Sequence, residues 1–140
     1  MYEKQLEAME RLFGVMDRLR VECPWDREQT FESLRNNTIE ETFELTDAIT
    51  DGDMDGIREE LGDLLLHIVF YSRMGAEQGR FDIGDVANAL CDKLIYRHPH
   101  VYGNVEADSA GQVIHNWEEL KLAEKRKKDR KARKGVLSGV

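Results

Sequence analysis

Apolar residues recur over the first twenty positions at Leu6, Met9, Leu12, Phe13, Met16 and Leu19. That is the three-and-four step of a helix with one buried stripe. Cys23-Pro24-Trp25-Asp26 ends the pattern, because proline disfavours helical backbone at the residue before it. Helical patterning resumes near Glu28 and weakens at Asn36-Asn37. Thr38 then reads as a fresh helix start, with Glu41 placed to complete a capping box. This helix is expected to reach about Thr50, where Asp51-Gly52-Asp53 makes a turn and supplies a new N-cap. Residues 54–78 form the most apolar helix. In it Leu61, Leu64, Leu65, Leu66, Ile68, Val69, Phe70 and Tyr71 cover nearly the full circumference, which puts it at a centre or in a subunit interface. Gly79 resembles a helix C-cap, and Asp82 with Asp85 opens a helix expected to run to about Arg97. His98-Pro99-His100 stops it. Residues 101–111 read as a loop, and 112–134 as a last helix with apolar Val113, Ile114 and Trp117 at its start. No stretch alternates with the period of a strand. The expected fold is all-α, a bundle of about five helices. A homodimer is also expected, since a bundle of 140 residues can hardly bury the 61–71 segment alone.

Composition agrees. Charged residues make up 34% and hydrophobic ones 41%, with two prolines, as in a water-soluble helical domain. No run of eighteen apolar residues exists and the N-terminus is charged, so neither a membrane span nor a secretory signal is expected, and the location is read as cytoplasmic. Cys23 and Cys91 lack any ligand spacing and read as reduced thiols. The net charge of −8 conceals an asymmetry: residues 121–134 hold nine Lys/Arg against Glu124 and Asp129, which leaves −15 on the remainder. An acidic body argues against nucleic acid as a partner, because phosphate backbones require cationic surfaces. The basic stretch is read as the solvated end of the last helix.

The candidate chemistry lies between residues 39 and 71. Glu41 with Glu44, and Glu60 with Asp63, are carboxylate pairs three residues apart. On a helix that spacing means about 60° of rotation and about 4.5 Å of rise, so each pair shares a face. Like charges that close repel unless a cation sits between them. Two such pairs on consecutive helices, each beside an apolar run, suggest four carboxylates facing one another and suit a hard divalent ion such as Mg²⁺. Solvated helix faces are the plainer reading of either pair taken singly, and Glu41 has its capping role as an alternative. Asp63, however, stands where burial begins, and an unpaired carboxylate there is costly. A di-iron carboxylate bundle would need Glu-x-x-His pairs, and none of the four histidines has a Glu three residues before it.

The pattern Glu40-Glu41-x-x-Glu44 followed by Glu60-x-x-Asp63 resembles the MazG family of nucleoside triphosphate pyrophosphohydrolases. So do Cys23-Pro24-Trp25-Asp26-Arg27-Glu28-Gln29-Thr30, residues 59–66, Glu77-x-Gly79-Arg80-Phe81-Asp82, Arg97-His98-Pro99-His100-Val101-Tyr102 and Trp117-Glu118-Glu119-Leu120-Lys121. The matches fall in order over nearly the whole chain. The resemblance implies an all-α fold whose helices pair with a second subunit. It also implies Mg²⁺-dependent cleavage of a nucleoside triphosphate to monophosphate and pyrophosphate, with Mn²⁺ as a substitute ion. The family's metal ligands carry over onto Glu41, Glu44, Glu60 and Asp63, with Glu40 as an outer helper. Cleavage between the α- and β-phosphates needs a positioned water and neutralised charge, which carboxylate-held magnesium supplies.

Cations for the triphosphate are expected at Lys93 and Arg97, four apart on one helix, and at Lys121, four after Trp117; ordinary surface charge is the alternative for each. Trp117 reads equally as core or as a nucleotide contact. Trp25 reads first as a packed anchor and second as a base-stacking platform. His67, four after Asp63, reads first as a satisfied core histidine and second as an outer helper of the metal site. Residues 1–134 are expected to make one MazG-like domain, and 135–140 resemble the junction that leads, in two-module relatives, to a second copy. That junction sustains an alternative function: a non-catalytic nucleotide- or metal-binding dimerisation module that regulates an attached catalytic copy.

Overall fold

The computed structural model describes residues 1–104, 106–107 and 109–138, with side chains described through Arg130. Seven helices are present among them: α1 (Glu3–Glu22), α2 (Pro24–Glu28), α3 (Phe31–Asp51), α4 (Met54–Glu77), α5 (Ile83–Arg97), α6 (Pro99–Tyr102) and α7 (Ala110–Ser138). Five are long and two are single turns, and no described residue is in a strand. The all-α expectation holds. The chain divides into two compact units, Met1–Val86 and Ala87–Val140.

In the first unit, α3 differs from the sequence expectation in an instructive way. It runs unbroken through Asn36, Asn37 and Thr38, so no helix starts at Thr38 and Glu41 completes no capping box. The box lies eight residues earlier. The Thr30 hydroxyl oxygen accepts from the Ser33 backbone N–H at 3.1 Å, and Ser33 Oγ accepts from the Thr30 N–H at 2.8 Å. A Thr-x-x-Ser pair thus does the work expected of Thr-x-x-Glu. The helix ends as anticipated at Gly52, whose φ of +66° suits a residue without Cβ. Asp53 follows at once as the N-cap of α4, its carboxylate accepting from the Gly56 N–H. A connection this short makes α3 and α4 an antiparallel hairpin, and they are the most extensively packed pair of helices.

The core is small. Met16 of α1, Leu34 of α3 and Val69, Phe70 and Met74 of α4 are its buried hydrophobic residues, flanked by Leu12, Phe13, Phe31, Leu65 and Tyr71. The α4 apolar run is therefore only partly covered: Leu61, Leu66 and Ile68 remain 50%, 39% and 41% exposed. Gly75 lets the Phe81 ring lie against α4, since a Cβ there would meet ring carbons at 2.6–2.8 Å.

Arg20 fastens the start of the chain to this core. Its Nε donates to both carboxylate oxygens of Glu77, at 3.0 and 2.9 Å. Its Nη1 donates to the carbonyls of Asp26, Arg27 and Gln29, and its guanidinium lies 5.6 Å from the Phe70 ring centroid. The Pro24-Trp25-Asp26 segment, expected as a break, is thereby held as the single turn α2. Trp25 is not the packed anchor favoured from sequence; it is 56% exposed, because Arg20 engages this segment through backbone carbonyls. Arg20→Met is expected to destabilise the chain by about 2–3 kcal/mol in urea denaturation, since it strips a charged donor from several partly buried acceptors. A loss below about 0.5 kcal/mol would show the clamp to be ornamental.

In the second unit, α5 ends at Arg97 and Pro99 opens α6, so Val101 and Tyr102 are helical rather than in a loop. Arg97 spans to α7 with a two-pronged pair, Nε to Glu124 Oε1 at 3.2 Å and Nη2 to Oε2 at 2.8 Å. Helix α7 begins two residues earlier than expected and reaches Ser138, so 135–138 continue the helix. Gly139 and Val140 lie outside the described residues. Cys23 and Cys91 are free thiols.

Candidate metal centre

The hairpin explains how the carboxylates meet. Glu41 stands eleven residues before Gly52 and Asp63 eleven after; Glu44 stands eight before and Glu60 eight after. In an antiparallel pair of equal rise, residues equidistant from the turn come opposite one another. One carboxylate oxygen from each of Glu41, Glu60 and Asp63 lies within 4.8 Å of the others. Glu44 is more exposed and faces Glu60 and Glu41 closely enough to raise the proton affinity of both.

Burial and mutual repulsion mark the cluster. The Glu41 carboxyl is pushed up from 4.5 to about 7, first by loss of water and then by the charges of Glu44, Asp63 and Glu60. Glu60 is raised by burial and then by Glu44. The contact between Glu41 and Glu60 acts oppositely on the two, raising the first and lowering the second. Glu41 Oε2 and Glu60 Oε2 are both shut off from solvent without a hydrogen-bond partner. Orphaned acceptor oxygens beside surplus negative charge are what an oxygen-liganded divalent cation satisfies. The donor set fits such an ion.

Residues 29–102 match the MazG nucleotide pyrophosphohydrolase domain. The chain belongs to the MazG family. The match takes in both carboxylate pairs and the whole α3–α4 hairpin. A nucleoside triphosphate pyrophosphohydrolase of Escherichia coli K12 is 45% identical over 126 residues, covering 88% of this chain and 48% of that protein. The corresponding MazG protein of Thermotoga maritima is 47% identical over 121 residues, 85% of this chain and 46% of its own length. A nucleoside triphosphate pyrophosphohydrolase of Mycobacterium tuberculosis is 46% identical over 129 residues, 91% and 38%. The chain thus spans about half or less of the length of these relatives. The crystal structure of a mazG-related protein from Thermotoga maritima shares the fold, with a TM-score of 0.67 at 24% identity over 80% of this chain and 97% of that one.

Other residues singled out from sequence are distributed differently. Glu40 is exposed on α3, next to Glu41 in sequence but outside the three-oxygen cluster. Lys93, Arg97, Trp117 and Lys121 belong to the second unit. There Lys93 and Lys121 are exposed, while Arg97 is engaged by Glu124 and draws the Glu124 carboxyl below its ordinary range. The Trp117 ring meets His98 edge-on at 4.9 Å, and its Nε1 is enclosed without a partner. His67 is buried on α4, bonded through Nδ1 to Thr38, so the satisfied-core reading of this residue holds. Burial holds it more readily neutral than usual, against the opposing charge of Asp63. Arg20 has no signal in the sequence, since nothing local distinguishes it from Arg11 and Arg18 of the same helix.

The raised proton affinity of Glu41 has a measurable consequence. Folding without metal pushes the Glu41 carboxyl up from its ordinary 4.5 to about 7. Between those values the folded state keeps a proton that the unfolded state releases, so stability falls as pH rises through the window. Thermal melts in EDTA are expected to show this loss, and Glu41→Gln to lack it. Mg²⁺ needs the ionised carboxylate, so its stabilising effect should grow over the same range. A Mg²⁺-induced rise in Tm that is independent of pH between about 5 and 8 would contradict the assignment.

Proposed function

We propose that this chain hydrolyses nucleoside triphosphates to the monophosphate and pyrophosphate at the α3–α4 carboxylate centre, with Mg²⁺ as its ion and Mn²⁺ as a substitute. The observation that carries the reading is the cluster of Glu41, Glu60 and Asp63 oxygens within 4.8 Å, two of those residues bearing enclosed oxygens without partners. Glu41, Glu44, Glu60 and Asp63 would hold the ion, with Glu40 outside them. A magnesium ion bound there supplies charge neutralisation for the phosphates and an acidified water. The chain's own part is to keep the carboxylates opposed, and one of them not fully taken up by the ion would accept a proton from the attacking water. Roles in holding substrate for Lys93, Arg97, Lys121, Trp117 and Trp25 belong to the same proposal; alanine at each would raise KM more than it lowers kcat.

The test is pyrophosphate release from each common nucleoside triphosphate by the purified chain, with Mg²⁺ and with EDTA. Magnesium-dependent release is expected. Its absence from folded protein that still binds Mg²⁺ would favour a regulatory binding module instead.

The protein is further proposed to act as a cytoplasmic homodimer without nucleic acid. Among the described residues, no helix is long and apolar enough to cross a membrane. Exposed Leu61, Leu66 and Ile68 on α4 support pairing with a second copy. Light scattering is expected to return twice the 16.2 kDa chain mass. A single-chain mass at every concentration would end that part of the proposal.

A further inference from the structure

Beyond the carboxylates, on the side away from the hairpin turn, a polar network joins the same two helices. Thr38 precedes Glu41 by three residues and His67 follows Asp63 by four, so the network sits one turn along each helix. Thr38 Oγ1 lies 2.6 Å from His67 Nδ1 and 3.0 Å from the Leu34 carbonyl of its own helix, and it also meets the Tyr71 hydroxyl. His67 is 8% exposed, and Thr38 and Tyr71 are half-buried. The Tyr71 ring is stacked on Phe31, centroids 5.6 Å apart and planes 3° from parallel.

One allocation of protons uses every contact. Thr38 has a single O–H and two lone pairs. The Leu34 carbonyl can only accept, so it takes the Thr38 proton. Tyr71 O–H and His67 Nδ1–H then both donate to Thr38 Oγ1, which fixes His67 as the Nδ1–H tautomer. The arrangement is specific for register. A slip of α4 by one residue would shift it about 1.5 Å and turn it about 100°. That would break both cross-helix bonds and leave a buried imidazole N–H unpaired. The same slip would carry Glu60 and Asp63 away from Glu41.

The short turn at Gly52 aligns the two helices, but the four carboxylates do nothing to hold that alignment at their own level, because without a cation they repel. We infer that Thr38, His67 and Tyr71 are positioning residues that hold Glu41 and Glu44 opposite Asp63 and Glu60 before any cation binds. This rests on the metal-centre reading above and adds to it the element that preorganises the site.

Thr38→Val and His67→Leu remove the network, while His67→Asn returns an amide N–H to the place of Nδ1–H. Titration calorimetry on the whole chain is expected to show Mg²⁺ affinity about tenfold weaker in the first two and within about threefold of wild type in the third. Two readouts need no metal. Nitrogen-15 spectra of the imidazole should place the proton on Nδ1. In EDTA, Glu41→Gln should raise Tm more in the wild-type background than in Thr38→Val, where the carboxylates are no longer held together. Unchanged Mg²⁺ affinity in both network variants, or a proton on Nε2, would overturn the inference. If the wild type binds no Mg²⁺, the proposed function falls, and the tautomer and melting comparison decide the network alone. Should His67→Leu fail to fold, Thr38→Val, which keeps side-chain size, decides in its place.

Discussion

Glu41→Gln is expected to abolish magnesium-dependent pyrophosphate release while making the metal-free protein more stable. The two effects have one cause. Glu41 supplies an enclosed, unpartnered oxygen to the cluster, and its carboxyl is pushed up to about 7 by burial and by three neighbouring carboxylates. An amide of the same shape removes the charge the ion needs and the repulsion the apo fold bears. Disturbing the residues behind metal ligands already costs about 10–100-fold, so removing a ligand should cost at least about a hundredfold. Tm in EDTA at pH 8 should rise. Asp63→Asn should lose activity likewise. Release that persists in both variants would remove the carboxylate centre from the reaction, and a lowered Tm in EDTA would mean Glu41 has a structural partner instead of a repulsive one.

The second large effect is structural. Phe70 is among the most deeply buried side chains, 2% exposed, and lies in the cluster with Met16, Leu34, Val69 and Met74 beneath the Arg20 guanidinium. Phe70→Ala is expected to cost about 3–5 kcal/mol, the lost transfer of a ring plus the cavity it leaves. That is a large share of the 5–15 kcal/mol that typically holds a domain together. With so few buried residues, the core has little capacity to close the hole. Urea denaturation of the variant at fixed protein concentration measures it; a loss under about 1.5 kcal/mol would mean the first unit draws its stability from elsewhere. Leu61→Ala, by contrast, removes a half-exposed side chain and should act mainly on self-association.

What the sequence determined by itself was the helix faces, the hairpin turn and the long apolar helices, all governed by local spacing. Three-residue carboxylate pairs fix a helix face, Asp51-Gly52-Asp53 fixes a turn because only a left-handed residue and a side-chain cap end one helix and start the next, and apolar periodicity fixes the long helices. Since the turn is short and the pairs stand equally far from it, the opposition of Glu41 with Asp63 and of Glu44 with Glu60 was already latent in the spacing. The continuity of α3 was not. Asn36 and Asn37 have weak helix propensity, and Thr38 a strong capping one, but packing against α4 and the His67 and Tyr71 bonds turn Thr38 into an interior residue. The fate of Trp25 depended on Arg20 gathering three carbonyls, a contact between segments with no sequence signature. Arg97 stands likewise: its spacing from Lys93 is visible in the chain, its engagement by Glu124 is not. The raised proton affinities of Glu41 and Glu60 depend on how much water the folded helices exclude and how near their charges come. Those are distances and dielectric, quantities that exist only once the chain has folded.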